Sequence, residues 1–476
     1  MATHWWGLPL IIHGPLYSIM SENQKNVLYY TIFVLLVLKF IAFISVITFR
    51  PSNLSQRKRS MKYGFLADHE KLQLGNDFEE FTRIIVGLKI QDGHKFRKLV
   101  DDMKAVRRSK QHYISIVNNV KSEGELRYIY SVFTFVCQKY IRCLGKDEQI
   151  DILPYHIGLP WHISAKRLGL PEATTYSSVV LNNWRPKYEK IESIDDIEVI
   201  HTITNTEDEK WFYKIHMAIE LMGAPVLQKL SDWDTIVKSE KLLRELLSDF
   251  FVFLKESTKL VNRMKDHCDP EFFWNQIRIY LAGYDDKTMF PNGLKIENTD
   301  IEIRWAGGSG AQSTLLQMTD TVFGVKHDVA HAGEFLNRMR TYMPPTDRNF
   351  LLILEKNGSI EKHVRKFKST LLEDLYKLCL SELAKFRHAH MSIVHKYIWN
   401  FVERSKKLIS SGDVEGAKKI LGNNVNSDGG SGSLGKTVGA NEQLEMIKEK
   451  NGKTLIDFLT GFADDTLFQA MKPFKS

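Results

Sequence analysis

Apolar residues recur at three- and four-residue spacing through the second half of the chain, from Trp211 onward. This spacing puts them on one face of a helix. Between residues 242 and 261 the apolar face consists of Leu242, Leu243, Leu246, Leu247, Phe250, Phe251, Leu254 and Val261. A second apolar face, on one long predicted helix at 371–409, consists of Leu375, Cys379, Leu383, Phe386, His390, Ile393, Val394, Tyr397 and Phe401. The pattern predicts a large helical domain over residues 204–476.

Residues 63–203 also carry helical patterns, but proline-bearing stretches such as ILPYHIGLP (152–160) interrupt them. Alternating strand patterns are scarce, and no rhythm of strand, helix and strand is present. The predicted fold class is therefore mainly α, with a small helical domain at 63–203 before the large one. Within the large domain, the glycine- and serine-rich run at 422–440 predicts a loop between helices.

Residues 1–62 form an N-terminal extension with one strongly apolar segment. Residues 27–49 contain a single charge, Lys39, and are long enough to cross the ~30 Å hydrocarbon core as a helix. Basic residues follow in a linker at 50–62, so the positive-inside rule predicts a membrane anchor with the remaining chain in the cytoplasm. The alternative is an upstream exon or a mispredicted start, because Met61, a possible start, stands near the end of this extension.

The charge balance and the cysteines exclude several classes of protein. The 65 Lys and Arg residues exceed the 57 Asp and Glu residues by only eight, and they are spread along the chain. Without a basic stripe or a nucleic-acid-binding module, no nucleic-acid partner is expected. The four cysteines form no CxxC or CxxCH motif, which argues against a zinc ribbon, a thioredoxin site and covalently attached haem. We expect a reducing compartment.

One histidine lies on an apolar helix face. Of His388, His390 and His395, only His390 belongs to the apolar face of the predicted helix at 371–409, at 100° per residue. A neutral imidazole in a dry interior is what an axial haem ligand requires. From periodicity alone, a buried core histidine is the better interpretation.

The segment GSGSLGKT (430–437) satisfies the phosphate-binding pattern GxxxxGK[ST]. A functional loop of this kind follows a buried strand and opens a helix. Here the preceding residues are polar and poor in strand formers, so a chance match is the better interpretation. A nucleotide hydrolase remains a rival of another class.

Three blocks follow one another between residues 270 and 351: PEFFWNQIRIYLAGY (270–284), WAGGSGAQS (305–313) and FLNRMRTYMPPTDRNFL (335–351). In this order they resemble the indoleamine 2,3-dioxygenase family, haem enzymes that open the indole ring of tryptophan. The resemblance runs from about Tyr63 to the C-terminus. It implies a two-domain helical haem dioxygenase fold, haem b that is ferrous in the active enzyme, dioxygen as co-substrate and N-formylkynurenine as product, the first step of the kynurenine pathway.

The resemblance assigns roles around the haem. The segment RHAHMSIVHKYI (387–398) is similar to the one that carries the proximal ligand, which makes His390 the ligand of the iron. Arg387 matches an arginine that pairs with a buried aspartate and the haem edge, and Asp320 matches that aspartate. From the residues alone, this pair could equally be an ordinary interhelical salt bridge.

The resemblance also assigns a substrate pocket. Phe273 matches the aromatic residue that packs on the indole, and Arg278 matches the clamp on the carboxylate. On an α-helix these two residues, five apart, point about 140° apart. The small turn that lets substrate approach the haem matches Gly308, Ser309 and Gly310. Two further aromatic residues that close the pocket match Tyr176 and Phe212, although core packing would explain both without the resemblance.

His216 departs from the family pattern, because familiar members carry serine at this position. It lies four residues after Phe212, so the imidazole should face the same cavity. The related tryptophan 2,3-dioxygenases place a histidine on the distal side of the haem to bond the indole N–H. Three interpretations stay open: a distal hydrogen-bond partner of substrate or bound oxygen, a second iron ligand that quenches activity, or a residue that only alters substrate affinity.

The resemblance implies L-tryptophan or another indoleamine as substrate, an electron donor for the haem, and a monomeric, cytoplasmic catalytic domain. A rival within the same fold is a haem protein that only binds oxygen, since this fold has been recruited as a myoglobin. Phe273, Arg278 and Ser309 argue against that rival, because an oxygen carrier needs no carboxylate clamp.

Overall fold

The computed structural model describes residues 61–68, 78–103, 108–145, 148–285, 289–327, 332–413, 416, 420 and 455–471. All of them belong to one compact unit, Arg57–Ser476. Within these ranges, no helix combines the length and the apolar character needed to cross a membrane. The predicted anchor at 27–49 and the predicted loop at 422–440 lie outside the described residues.

The described residues are mainly helical, as predicted. The α-helices are α1 Glu79–Gly87, α2 Gly93–Asp102, α3 Lys110–Asn119, α4 Glu123–Arg142, α5 Tyr155–Leu168, α6 Glu207–Leu230, α7 Trp233–Ile236, α8 Glu240–Asn262, α9 Met264–His267, α10 Pro270–Phe272, α11 Thr314–Phe323, α12 Ala332–Arg340, α13 Pro345–Asn357, α14 Glu361–Phe367, α15 Thr370–Val394, α16 Asn400–Ser410 and α17 Leu455–Met471. Wider π-helical turns occupy Ser177–Leu181, Phe273–Ile277 and His395–Trp399. Tighter 3₁₀ turns occupy Ile194–Asp196, Arg278–Leu281 and Gly310–Gln312.

The strands in the described ranges are short: β1 Ile152–Leu153, β2 Trp184–Pro186, β3 Ile197–Val199, β4 Leu294–Ile296 and β5 Glu302–Ile303. β1 runs parallel to β4, and β4 runs antiparallel to β5. β2 and β3 form a separate antiparallel pair. The first sheet therefore joins a strand from the predicted small domain to two strands from the predicted large one. The division at residue 203 stays a prediction.

Most of the apolar face predicted between 242 and 261 forms the core side of α8, while Leu242 and Phe251 are only partly buried. Leu243, Leu246, Leu247 and Phe250 are all fully buried. The Ser239 hydroxyl caps the helix by accepting the Leu242 N–H. Such a cap satisfies one of the N–H groups that the first turn leaves without a helical partner.

The predicted single helix at 371–409 is divided by a π-helical turn. α15 ends at Val394, the turn spans His395–Trp399, and α16 continues the path. α15 packs against α8 and against the C-terminal helix α17, so the helix that carries His390 lies between two others. None of the four cysteines, all of which the structure describes, forms a disulfide.

Candidate active site

A cluster of rings brings together side chains from four separate segments. The ring centroids of Phe212 and His216, one turn apart on α6, lie 4.8 Å from each other. Phe212 lies 5.0 Å from Phe273, and His216 lies 6.0 Å from Tyr176. Tyr397, which follows α15, lies 5.7 Å from Phe273. The predicted aromatic residues of the pocket therefore meet around His216.

The relation between Phe273 and Arg278 differs from the prediction of about 140°, which assumed a regular α-helix. The structure has a π-helical turn over Phe273–Ile277, in which the Arg278 N–H bonds to the Phe273 carbonyl. This i→i+5 bond places the two residues one turn apart, on the same side of the segment. The prediction was wrong because the π-helical turn contains one residue more than the α-helical turn that it assumed.

Arg278 is a buried cation beside an aromatic ring. Its side chain is 6% exposed, and its guanidinium lies 4.3 Å from the centroid of Trp274. Burial lowers the pKa of Arg278 to about 10, so the side chain stays charged at neutral pH. A desolvated guanidinium with this charge is suited to bind a carboxylate.

The hydrogen bonding of His216 fixes which ring nitrogen carries the proton. Its Nδ1 lies 2.8 Å from the Phe212 carbonyl oxygen. A carbonyl only accepts, so Nδ1 must donate and Nε2 of the neutral ring holds a lone pair. Burial lowers the pKa of His216, and this hydrogen bond raises it by a smaller amount. The net lowering keeps the ring neutral at pH 7. Nε2 is thus an acceptor, suited to an N–H group or a metal ion.

The predicted small turn leads into α11 and is tied to Tyr176. The side-chain oxygen of Gln312 accepts the Tyr176 N–H at 2.9 Å, while its Nε2 donates to the Gly307 carbonyl at 2.9 Å. A Cβ built on Gly310 would meet no atom within 4 Å, so open space adjoins this residue. A Cβ on Gly308 would lie 3.4 Å from the Thr174 carbonyl oxygen. The Ser309 hydroxyl accepts the Ala311 N–H at 3.3 Å, which leaves its O–H able to donate.

His390 differs from its neighbours on the apolar face. Cys379, Leu383 and Phe386 are buried, but the His390 side chain is exposed. Even so, the surrounding protein atoms and, to a lesser extent, the His216 imidazole lower the pKa of His390 to about 4. We interpret the combination of accessible surface and strong desolvation as a side chain that borders an internal cavity. His390 is therefore neutral at pH 7, and it lies close enough to His216 for the two rings to interact electrostatically.

Asp320 and Arg387 form an ion pair between α11 and α15. Burial alone would raise the pKa of Asp320, but the charge of Arg387 and the hydrogen bond from His327 outweigh burial and lower it. Arg387 also donates to the Phe462 carbonyl of α17 at 2.9 Å. Arg387 lies one turn before His390 on α15, so this ion pair stands beside the cavity.

Two polar residues of this region were missed from the sequence. His327 lies 3.1 Å from Asp320 and 3.5 Å from Asp465 of α17, and so joins the ion pair to the C-terminal helix. Glu220 is fully buried one turn after His216, and its carboxylate accepts hydrogen bonds from the hydroxyl groups of Tyr176 and Ser313. The sequence did contain a signal for Glu220, because it follows Phe212 and His216 at the same four-residue spacing and so lies on the same face of α6.

The side chains present fit a haem group. The iron of a haem takes four ligands from the porphyrin, so one neutral histidine such as His390 can supply the protein ligand. The exposed surface of its imidazole and the open space beside Gly310 leave room for a flat group. Arg387, anchored by Asp320, offers a cation toward the acidic edge of such a group.

Comparisons with known proteins identify the family of the chain. The family model for indoleamine 2,3-dioxygenase matches residues 54–468. The chain is 29% identical to indoleamine 2,3-dioxygenase of Saccharomyces cerevisiae, over 86% of this chain and 92% of the yeast protein. It is 27% identical to indoleamine 2,3-dioxygenase 1 of Rattus norvegicus, over 70% of this chain and 82% of the rat protein. It is also 27% identical to a 6-hydroxytryptophan 2,3-dioxygenase of Fusarium equiseti, over 69% of this chain and 80% of that protein.

The family model covers most of the chain, including every residue of the ring cluster around His216, the small turn before α11 and both sides of the Asp320–Arg387 pair. All three of these relatives are named as dioxygenases. On this match the chain belongs to the indoleamine 2,3-dioxygenase family of oxidoreductases.

Proposed function

We propose that this protein cleaves the C2–C3 bond of the indole ring of L-tryptophan to give N-formylkynurenine, or that of a closely related indoleamine to give the corresponding ring-opened product. The observation that carries the proposal is the pairing of two neutral histidines at one cavity, with an aromatic cluster and a buried arginine beside it. The relative that acts on 6-hydroxytryptophan makes ring-substituted tryptophans the natural second substrates to test.

The protein's part in this reaction is to hold the substrate in one orientation and keep water away. Arg278 binds the substrate carboxylate, since it is charged and largely desolvated. Phe212, Phe273 and Tyr176 line a flat slot for the indole. His216 accepts the indole N–H at Nε2, which fixes the rotation of the ring in that slot. Holding the reacting atoms in this way lowers the entropic part of the barrier.

His390 would bind haem b, with the Arg387–Asp320 ion pair beside it, and the bound haem would supply the activation of dioxygen. Both atoms of dioxygen enter the product, where they become the two carbonyl oxygens formed as the C2–C3 bond breaks. Gly308 and Gly310 keep the small turn free of side chains that would fill the space beside the substrate. Ser309 keeps an O–H available at the same turn.

The test is incubation of the reduced holoprotein with L-tryptophan in air, with N-formylkynurenine as the measured product. We expect product from the wild type and loss of haem from His390→Ala, because the substitution removes the side chain proposed to bind the iron. His388→Ala, two residues away on α15, is the matched control and should retain haem. Retention of an unchanged haem spectrum by His390→Ala would remove the ligand assignment.

The rival is a member of the family that binds oxygen without turnover. A reduced holoprotein with a stable oxygen complex and no product from any indoleamine would favour it. The buried charge of Arg278 favours the enzyme, since oxygen storage gives no reason to desolvate a guanidinium beside the cavity.

A further inference from the structure

Glu220 connects three of the segments that build the candidate pocket. It belongs to α6, one turn after His216, and it is fully buried. Its Oε1 accepts hydrogen bonds from the Tyr176 hydroxyl, at an O–O distance of 2.9 Å, and from the Ser313 hydroxyl, at 2.8 Å. Tyr176 precedes the π-helical turn at Ser177–Leu181, and Ser313 caps α11 directly after the small turn. One oxygen atom thus holds three separate stretches of chain together.

The backbone around this junction is tied a second time. Gln312, next to Ser313, accepts the Tyr176 N–H and donates to the Gly307 carbonyl. On the opposite side, Gly64 has a φ of 70°, and a Cβ there would come within 2.8 Å of the Glu220 carbonyl oxygen. Close packing on this side leaves Glu220 little room to move. A change in its hydrogen bonds is therefore transmitted to Tyr176 and Ser313.

The other carboxylate oxygen of Glu220 is not used in this junction. Oε2 is buried and has no hydrogen-bond partner among the described residues. Burial is the main cause that raises the pKa of Glu220 to about 7, and the charge of Asp347 at the start of α13 adds to it. The bonds from Ser313 and Tyr176 act in the opposite direction. Glu220 therefore changes between its neutral and ionised forms near neutral pH.

We propose that Glu220 is a positioning residue whose ionisation tightens the hold on Tyr176 and Ser313 and thereby raises the affinity of the pocket for its indole substrate. The inference rests on the proposed function, since it concerns the same pocket. Hydrogen bonds to an ionised acceptor are roughly twice as strong as those between neutral groups. The ionised form should thus hold the Tyr176 wall in place before substrate arrives, which lowers the entropic cost of binding.

The other titratable groups assigned to the candidate pocket do not change charge near pH 7. Burial raises the pKa of Tyr176 well above its usual range, so its hydroxyl stays protonated. Burial lowers the pKa of His216, so its ring is already neutral. Arg278 and His390, with pKa values of about 10 and about 4, stay charged and neutral respectively. Asp347 is the remaining acidic neighbour, and it acts on Glu220 through its charge.

The experiment compares wild-type holoenzyme with Glu220→Gln. Ferric protein is titrated with L-tryptophan between about pH 6 and about pH 8.5, and the Kd is taken from the change in the haem spectrum. For the wild type we expect the Kd to fall by about three- to tenfold as the pH rises through about 7. Glutamine keeps a neutral carbonyl acceptor, so the variant should show one Kd throughout, equal to the acidic limit of the wild type.

Two further variants separate positioning from general stability. Glu209→Gln alters another buried carboxylate of α6, one that accepts hydrogen bonds from the N–H groups of Ile203 and Thr204 instead of from Tyr176 and Ser313. It should lower the Tm and leave the pH dependence of the Kd intact. Tyr176→Phe removes one of the two donors to Glu220 and should weaken that dependence.

A pH-independent Kd in the wild type, or the wild-type pH dependence in Glu220→Gln, would overturn the inference while leaving the proposed function standing. The absence of any spectral response to L-tryptophan in the wild type would instead contradict the proposed function itself. Rescue of the pH dependence in Glu220→Asp, combined with a weaker affinity, would support a role that depends on an ionisable carboxyl.

Discussion

Replacing His216 by alanine should abolish the ability of the pocket to distinguish an indole from an isosteric ring without an N–H. The Phe212 carbonyl holds the proton of the imidazole on Nδ1, which leaves Nε2 as the acceptor for the indole N–H. In a desolvated pocket, a polar group that loses its partner costs about 1–3 kcal/mol. At about 1.4 kcal/mol per tenfold change, the wild type should bind L-tryptophan about 5- to 150-fold more tightly than its benzothiophene analogue, in which sulfur replaces the N–H.

The assay is the Kd of both ligands for the ferric holoenzyme, measured through the haem spectrum. In His216→Ala the ratio of the two Kd values should approach unity, because the acceptor is gone for one ligand and was never used by the other. His94→Ala, an exposed histidine of α2, is the control and should keep the wild-type ratio. An equal ratio in wild type and His216→Ala would refute the hydrogen bond. A low-spin spectrum with two histidine ligands in the substrate-free wild type would show that His216 binds the iron instead.

Two other predictions test the charge of the pocket and the stability of the fold. Arg278→Gln should raise the KM for L-tryptophan by about 10- to 150-fold in steady-state assays, because a charge-assisted bond worth about 1.5–3 kcal/mol is lost; a KM within twofold of the wild-type value would contradict the clamp. His201 packs its ring against Tyr128 and Phe135, and burial lowers its pKa to about 3. The folded state therefore resists protonation of His201 while the unfolded chain accepts a proton below about pH 6.5, so this contribution to stability is present above that pH and is lost as the pH falls toward 3. Between pH 7 and pH 5 the wild type should lose about 2 kcal/mol more unfolding free energy than His201→Phe, measured by denaturant titration; equal losses would show that His201 is not the group responsible.

The helices and their buried faces were predictable because their apolar spacing matches the helical period directly. The face of α8 between residues 242 and 261 is the clearest case. The three ordered blocks likewise identified the family, since each combines a packing requirement with a chemical one. Both kinds of signal lie within short stretches of sequence.

The arrangement of the site was less predictable, because it depends on contacts between distant segments and on local departures from the α-helix. Periodicity placed His390 on a buried face, whereas the structure exposes it to a cavity that the apolar pattern does not record. Glu220 and His327 were overlooked because their partners, Ser313 and Asp465, lie far away in the chain. Single-sequence reasoning has no measure of such long-range polar contacts.

The wide turn at Phe273–Ile277 bears on any attempt to move this pocket into another protein. Its residues FFWNQIR, copied onto a regular helix of a designed scaffold, would direct the aromatic ring and the guanidinium to different sides, however faithful the composition. The one additional residue within the turn is itself part of the recognition site. A graft would have to reproduce backbone length and the i→i+5 bond as well as side chains, and a one-residue deletion between Phe273 and Arg278 would be as damaging as the loss of either side chain.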